Sequence, residues 1–593
     1  MDWRLFTRLL AIARPHAGAL GAAIALLILV SGAELLFPLL MKIGIDRYIR
    51  TKDTAGLLRL SLAYLALLAA VFALRYAQMH ATQALGQKIM FDLRRRLYRH
   101  TQTLSISYFE RNPVGRIMTR LTGDVEALND LFTSGVVSIF GDLLLIAGIV
   151  TAMLMLDVRL ALVCFLVVPL LAVATFLFRA RVREAYTTIR AKVAAMNAYL
   201  QEHLSGIAVV QLFRREEASA RQFGRLNAEH RDAFLKSVQA FSVYFPVVGL
   251  LDAIAVALIL GYGGSRVLDA TLSIGSLVAF FQYSERFFRP IRDLSERYNV
   301  LQGALASAER VFELLDTEPE IRSPEGARQS SGIPLVGAGE IVLDHVRFGY
   351  KREEPVLHDL SLRVSPGEAV ALVGHTGAGK TTIASLLVRF YDVWGGMISI
   401  DGVDVRRWDL GALRRGIAVV PQDVFLFSGS AIRNIGLRDP SIGPESVERA
   451  IDVVRARDFL SALPEGLETE LRERGNILSV GQKQLLAFAR ALARDPRILV
   501  LDEATSSVDT QAELRIREAL RRLTHGRTSI IIAHRLSTIR HVDRVLVLHK
   551  GRLAEEGTHA DLLSRGGIYS KLYDLEFRQQ EEESGETAAE GAD

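Results

Sequence analysis

Cysteine is nearly absent from this chain of 593 residues, and Cys164 stands alone inside an apolar run. That excludes an intrachain disulfide framework and a cysteine-rich metal site. Proline and glycine are scarce in the long polar segments of the first half, so those segments read as continuous helix rather than loop. A cleavable secretory leader is not the reading either. The first apolar stretch, Ala17 to Leu40, exceeds the roughly 7–15 residues of a signal core and lacks a clean cleavage site. It reads as a retained span with its N-terminus inside. The net charge of +5 and the pI near 9.2 do not call for nucleic acid. The basic residues cluster beside apolar spans, as cytoplasmic flanks do.

What is abundant is apolar length. Half of the residues are hydrophobic and the mean hydropathy is +0.22, unusual for a soluble enzyme of this size. After Ala17–Leu40, apolar stretches recur at Leu57–Tyr76, Leu131–Leu156, Val158–Phe178, Phe241–Gly261 and Leu272 to about Phe288. Each is near the ~20 residues that cross a bilayer as a helix. Six spans put both ends of the chain on one side. Short connections alternate with long ones, and the long ones carry Lys88, Arg94, Arg95, Arg96, Arg99, Arg179, Arg181 and Arg183. That asymmetry places both termini in the cytoplasm. Two inner turns, Ser107 to Gly115 and Ser205 to Phe213, break the long helices and carry apolar or aromatic residues. They read either as knobs that a soluble domain can grip or as plain hairpin corners. Of the ionisable residues inside spans, Arg75 and Glu285 read as structural pairs or snorkelling groups. Glu34, Asp142 and Asp252 read equally as path-lining or as structural.

Thr317-Glu318-Pro319-Glu320 and Ser323-Pro324-Glu325-Gly326 end the last long helix, and a small-residue linker runs from Ser330 to Gly339. From Glu340 the pattern changes to short apolar strands alternating with helices, an α/β layout. Its centre is Gly374-His375-Thr376-Gly377-Ala378-Gly379-Lys380-Thr381, which fits G-x-x-x-x-G-K-[ST]. The apolar strand Ala369–Val373 precedes it, and a helix follows through Thr382 to Val388. Glycines let backbone N–H groups turn towards phosphate oxygens, and the helix start adds partial positive charge. Lys380 would reach the β/γ-phosphates and Thr381 would hold Mg2+. Arg497 to Glu503 reads as a buried strand ending in two carboxylates, Asp502 placed for the Mg2+ shell and Glu503 where it can act on water; two acids there could also be a surface turn, which the apolar strand behind a P-loop disfavours. Tyr350 can stack on an adenine ring or simply end a strand. Ser479 is an N-cap for a second anion-facing helix start, running from Lys483 to Ala493. One nucleotide does not need two such starts in one domain, so a second copy of the domain is the economical partner. The tail from Glu581 is acidic and poor in apolar residues, a composition that predicts disorder.

With these residues in place, nearly the whole chain resembles an ATP-binding-cassette exporter half-transporter. The fold class this implies is a membrane α-helical bundle of six helices with long cytoplasmic extensions, followed by an α/β P-loop domain. The expected divisions are a transmembrane domain over 1–316 with coupling turns near 105–116 and 205–213, a linker over 317–339, a nucleotide-binding domain over 340–578 and an acidic tail over 579–593. In family terms Gly374 to Thr381, with Thr382, is similar to the Walker A loop, and Tyr350 to the adenine-stacking A-loop. Gln422 matches the Q-loop, which assists catalysis and the Mg2+ shell with Thr381 and Asp502. Thr469 to Gly475 resembles the exporter X-loop. Leu478-Ser479-Val480-Gly481-Gln482 matches the signature that acts on the other chain's nucleotide. Glu503 stands at the catalytic glutamate, Ser507-Val508-Asp509 at the D-loop and His534 at the switch histidine. Val480 departs from the usual first glycine of the signature. It is similar to variants in multidrug-resistance-like exporter subunits encoded as pairs.

The resemblance implies ATP as fuel with Mg2+, a homodimer or a heterodimer with a second half-transporter, surrounding membrane lipid, and a small hydrophobic or lipid substrate. It implies a multi-pass protein of the cell's inner membrane. An ATP-gated channel or sensor on the same scaffold is the alternative, and the Glu503 and His534 positions favour turnover instead. Peptide export with a resident protease would need an N-terminal cysteine-protease domain, and import is uncommon in this layout.

Overall fold

Apolar length becomes helix length. The structure, a computed structural model, describes residues 3–324, 337–502, 510–533 and 539–577. Two units divide the chain: Met1–Thr103 with Pro113–Thr317, and Leu104–Asn112 with Glu318–Asp593. Most of the linker, the residues around Glu503 and His534, and the acidic tail lie outside the described residues.

The first unit is helical. The helix Thr54–Thr101 has 48 residues. At about 1.5 Å per residue it is about 72 Å long, more than twice a hydrocarbon core of about 30 Å. Val168–Ser205 and Glu216–Leu258 are comparably extended. Among the described residues, five stretches are long and apolar enough to cross a membrane: Thr7–Ile49, Thr54–Thr101, Ile139–Leu156, Val158–Ser205 and Glu216–Leu268. The sixth expected span falls at the start of helix Ile274–Asp316, which is not among those five. The inner turns are each one short helix, Ile106–Arg111 and Ile207–Leu212.

Short polar side chains stop and restart these helices. Asp53 caps Thr54–Thr101 by accepting from the Gly56 N–H at 2.8 Å, and Asp157 accepts from the Leu160 N–H at 2.9 Å. Arg266 also donates to Asp157, at 2.5 Å, which ties two connections together. Asp46 does the same for another pair, accepting from Ser273 Oγ at 2.6 Å and from the Gly275 N–H at 2.8 Å. Between helices, Arg75 Nε donates to Glu34 at 2.9 Å, so Glu34 and Arg75 pair with one another. Further along, buried Asp124 accepts from Arg310 Nε at 2.9 Å and from Ser307 Oγ at 3.0 Å. Burial opposes charge on Asp124, but the hydrogen bonds from Arg310 and Ser307 outweigh it and hold the carboxyl below its usual range.

The second unit carries two sheets. Strands β1 (Ile341–Phe348), β2 (Leu357–Val364), β4 (Gly395–Ile400) and β5 (Val403–Asp404) pair antiparallel in the order β2-β1-β4-β5. The other sheet has the order β10-β9-β3-β8-β7-β6. Its members are β3 (Ala369–Val373), β6 (Ile417–Val420), β7 (Ile498–Asp502), β8 (Thr528–Ile532), β9 (Arg544–His549) and β10 (Arg552–Gly557). All are parallel except β10, which turns back on β9. The central strands β3, β7 and β8 are buried at nearly every position, the polar Thr528, Ser529 and Asp502 included, because both faces are covered. Leu372, Ile383, Leu387, Trp408, Val500 and Ile532 belong to one buried cluster that packs the helix Lys380–Leu387 into this unit. Asp401 anchors the entry to β1 by accepting from the N–H groups of Gly339 at 2.8 Å and Glu340 at 2.9 Å.

Leu387 has no exposed surface. Leu387→Ala should destabilise the second unit by about 2–5 kcal/mol and lower the midpoint of its thermal unfolding by several degrees, as read by calorimetry.

Candidate nucleotide site

β3 ends at Val373 and the chain turns through residues 374–379 before entering the helix Lys380–Leu387. Two glycines make that turn possible. Gly374 has φ 155°, and a Cβ there would lie 2.2 Å from the Leu548 carbonyl oxygen. Gly379 caps the helix at φ 100°, and a Cβ would lie 2.5 Å from Leu357 Cδ2. Because the left-handed residue sits at 379, the helix starts at Lys380, two residues before the expected Thr382. His375, Thr376 and Gly377 form the exposed crown of the loop, and Ala378 closes it with its N–H on the His375 carbonyl at 3.0 Å. Lys380 is buried, and its ammonium donates to the carbonyls of Gly374 and, at 3.2 Å, of His375.

Thr381 Oγ1 donates to Asp502 Oδ2 at 3.0 Å. β8 lies between β3 and β7, so this bond crosses one strand to join the loop's helix to the end of β7. Asp502 is buried, and its Oδ1 has no hydrogen-bond partner among the described residues. A buried carboxylate oxygen without a donor lacks compensation. A hydroxyl beside such a carboxylate is the oxygen donor set that suits Mg2+, so Thr381 and Asp502 fit the ion. Gln422 lies two residues beyond β6, exposed, with no hydrogen bond to Thr381 or Asp502 among the described residues. The structure therefore brings two of the three expected Mg2+ residues together. Glu503, Asp509 and His534 lie outside the described residues.

Tyr350 follows β1 and is half-exposed. Its hydroxyl lies 3.2 Å from Thr382 Oγ1, and its ring packs edge-on against Phe348 and Tyr391, each at 5.3 Å. The aromatic ring thus stands beside the phosphate-loop helix with one side open.

The second helix start is built as a capping box. Ser479 Oγ accepts from the Gln482 N–H at 3.3 Å, and Gln482 Oε1 accepts from the Ser479 N–H at 2.9 Å. This pulls the start of the helix to Val480, three residues ahead of the expected Lys483, and the helix runs to Leu492. Gly481 is buried, whereas Val480 is 53% exposed and Ser479 is also exposed. The extra side chain therefore projects outward and leaves the cap intact. The segment Thr469–Gly475 is held by the Leu471 N–H on the Gly429 carbonyl at 2.9 Å. Arg472 and Arg474 take left-handed φ of 48° and 53° there, a region most side chains avoid.

One contact had no clear signal in the chain. The first inner turn, Leu104–Asn112, belongs to the second unit. Tyr391 donates its hydroxyl to Glu110 there, and Ser107 Oγ donates to Glu320 at 2.6 Å. Burial, and then the Glu110 carboxylate it donates to, push the Tyr391 phenol above its usual range, so it stays a donor. Tyr391 follows the phosphate-loop helix as one aromatic among several, and nothing local distinguishes it.

Comparison with known proteins decides the family. Residues 20–291 match the ABC transporter transmembrane region, and residues 357–506 match the ABC transporter domain. The chain is 38% identical over 578 residues to the uncharacterized ABC transporter ATP-binding protein YknV of Bacillus subtilis, covering 97% of this chain and 95% of that one. The chain belongs to the ABC transporters. This ABC transporter is also 35% identical to an ATP-dependent lipid A-core flippase of Syntrophus aciditrophicus, over 97% of this chain and 95% of the flippase. It is 34% identical to a putative multidrug export ATP-binding/permease protein of Staphylococcus aureus, over 96% of this chain and 100% of the other. A solved bacterial Atm1-family ABC exporter with ATP bound superposes with a TM-score of 0.78 at 29% identity, covering 94% of this chain and 98% of that one. The ABC transporter is thus a multi-pass membrane protein of exporter type that couples ATP hydrolysis to transport.

Gly374→Ala should abolish nucleotide binding, because its Cβ would displace the Leu548 backbone. Asp502→Asn should weaken Mg2+-dependent ATP binding by about tenfold or more, with little change in binding measured in EDTA. Both are read by fluorescent-nucleotide titration.

Proposed function

We propose that the chain is one half of a dimeric exporter that moves hydrophobic or amphipathic small molecules, or lipids, across the membrane. The observation that carries this reading is the exposed helix start at Ser479, set by its capping box. It is an anion-facing surface that its own domain leaves uncovered. A second cassette, identical or homologous, supplies the nucleotide for it, and each ATP lies between one chain's loop 374–381 and the other chain's Ser479–Gln482. Six spans, with both termini in the cytoplasm of an inner membrane, complete the arrangement. The flippase and multidrug relatives support a lipid-like or amphipathic cargo.

The residue roles follow from charge. The loop's N–H groups and Lys380 hold the β/γ-phosphates, and Lys380 exchanges the carbonyls of Gly374 and His375 for phosphate oxygens. Tyr350 offers its open ring side to adenine. Thr381 and Asp502 would hold Mg2+, which when bound offsets charge on the phosphate oxygens; Gln422 joins this set only by moving. Glu503 orients and deprotonates the attacking water, His534 contacts the γ-phosphate, and Asp509 faces the other chain. No covalent bond to the protein forms, so positioning and electrostatics carry the rate.

Motion passes through the inner turns. Tyr391 lies just past the phosphate-loop helix and holds Glu110 of the first turn, so a shift of that helix reaches the turn directly. The second turn exposes Val209, Leu212 and Phe213, an apolar knob that suits the cassette of the second chain.

In a Cys164→Ser background, Thr376→Cys and Ser479→Cys on separate chains should cross-link on ATP addition, read by gel shift. Failure of that cross-link in native-membrane protein, with hydrolysis continuing, sinks the shared-site reading. Glu503→Gln should lower ATPase by about a thousandfold while leaving ATP binding within about twofold. Tyr391→Phe should leave basal ATP affinity unchanged and reduce substrate-stimulated ATPase, checked in nanodiscs.

A further inference from the structure

The helices Val168–Ser205 and Glu216–Leu258 run side by side in opposite directions, joined through the second inner turn. Between them lies a groove of about 630 Å3, within the usual size of a small-ligand site. Its two ends differ in chemistry. One end is apolar, with Leu177, Phe178, Val243 and Tyr244. Phe178 stacks on Tyr244 at 3.9 Å between ring centres, and both are buried, so the floor is rigid. Leu177 and Val243 are exposed on the rim, so the groove opens sideways. The other end carries Arg181 and Lys236, with Glu184 beside them.

The change in chemistry falls at one level on both helices. On the first, the apolar run ends at Phe178 and the charges begin at Arg179. On the second, Lys236 is the last charged residue before the apolar run that starts at Phe241. The groove therefore straddles the boundary between hydrocarbon and headgroups. Among the described residues, neither Arg181 nor Lys236 makes a hydrogen bond or ion pair. A little further along the same helix pair, Lys192 does pair, with Glu229 at 2.7 Å. Two cations without protein partners, set at headgroup depth above an apolar slot, match an anionic amphiphile.

We propose that this groove holds a resident anionic phospholipid, its phosphate between Arg181 and Lys236 and one acyl chain along Leu177, Phe178 and Val243. The lipid is a fixed component rather than cargo, so the proposal stands or falls independently of the transport reading. Charge-assisted contacts to phosphate supply headgroup preference, and the aromatic floor supplies the apolar part.

The test uses the full-length protein, extracted in detergent from membranes containing phosphatidylglycerol and washed in detergent alone. Retained phospholipid is scored by native mass spectrometry. Arg181→Gln with Lys236→Gln should reduce retained phosphatidylglycerol by at least about tenfold. Val243→Trp keeps both cations and fills the apolar end, so it should lose the lipid as well. Lys192→Gln removes a charge from the same helix pair outside the groove and should retain the parental amount. Parental retention in the double variant overturns the proposal. So does equal loss in Lys192→Gln, which would mark a general surface-charge effect. A parent protein that keeps no phospholipid through the wash also overturns it and leaves the groove to a second copy of the chain.

Discussion

A hydrogen bond, Thr381 Oγ1 to Asp502 Oδ2 at 3.0 Å, joins the helix of the glycine loop to the end of β7. The loop after β3 and the end of β7 come from segments more than a hundred residues apart. β8, inserted between them, sets their separation. Parallel strands place their carboxyl ends on one edge, so the loop and Asp502 emerge together. The glycines then matter for space as much as for freedom. At Gly374 any side chain would meet the Leu548 backbone of neighbouring β9.

The helical unit solves a different problem. Its backbone is satisfied within each helix, as a bilayer requires. The difficult points are therefore the connections, where carbonyl and N–H groups run out of helical partners. Asp46, Asp53 and Asp157 stand at those points, and Asp46 and Asp157 each serve two connections. Glu34 and Arg75 remove each other's charge from the lipid-facing account. The same logic makes Arg181 and Lys236 conspicuous, because neither makes a hydrogen bond or ion pair among the described residues.

The first inner turn folds with the second unit through Tyr391, Glu320 and the Ser105 hydroxyl, which accepts from the Ile321 N–H at 3.0 Å. Burial and the Glu110 carboxylate raise the Tyr391 pKa, so this hydrogen bond keeps its proton throughout the physiological range.

Local chemistry was legible wherever it is written in adjacent residues. Ala369–Val373 is β3 at the expected bounds, and β7, Ile498–Asp502, lies within the expected run Arg497–Glu503. An apolar run bounded by glycine or a carboxylate admits little else at that length. The two helices that follow glycine and serine start earlier than expected, because the cap residue sets the first turn and apolar periodicity does not. Five strongly apolar stretches among the described residues are likewise a property of composition. Tertiary structure decided what pairs across distance. It set Glu34 with Arg75, brought Thr381 but not Gln422 to Asp502, turned Val480 outward, and placed Tyr391 on Glu110. Those partners are separated in the chain by many turns of helix or several strands. No local pattern specifies which distant group will arrive; only the packing of strands and helices around a common core does.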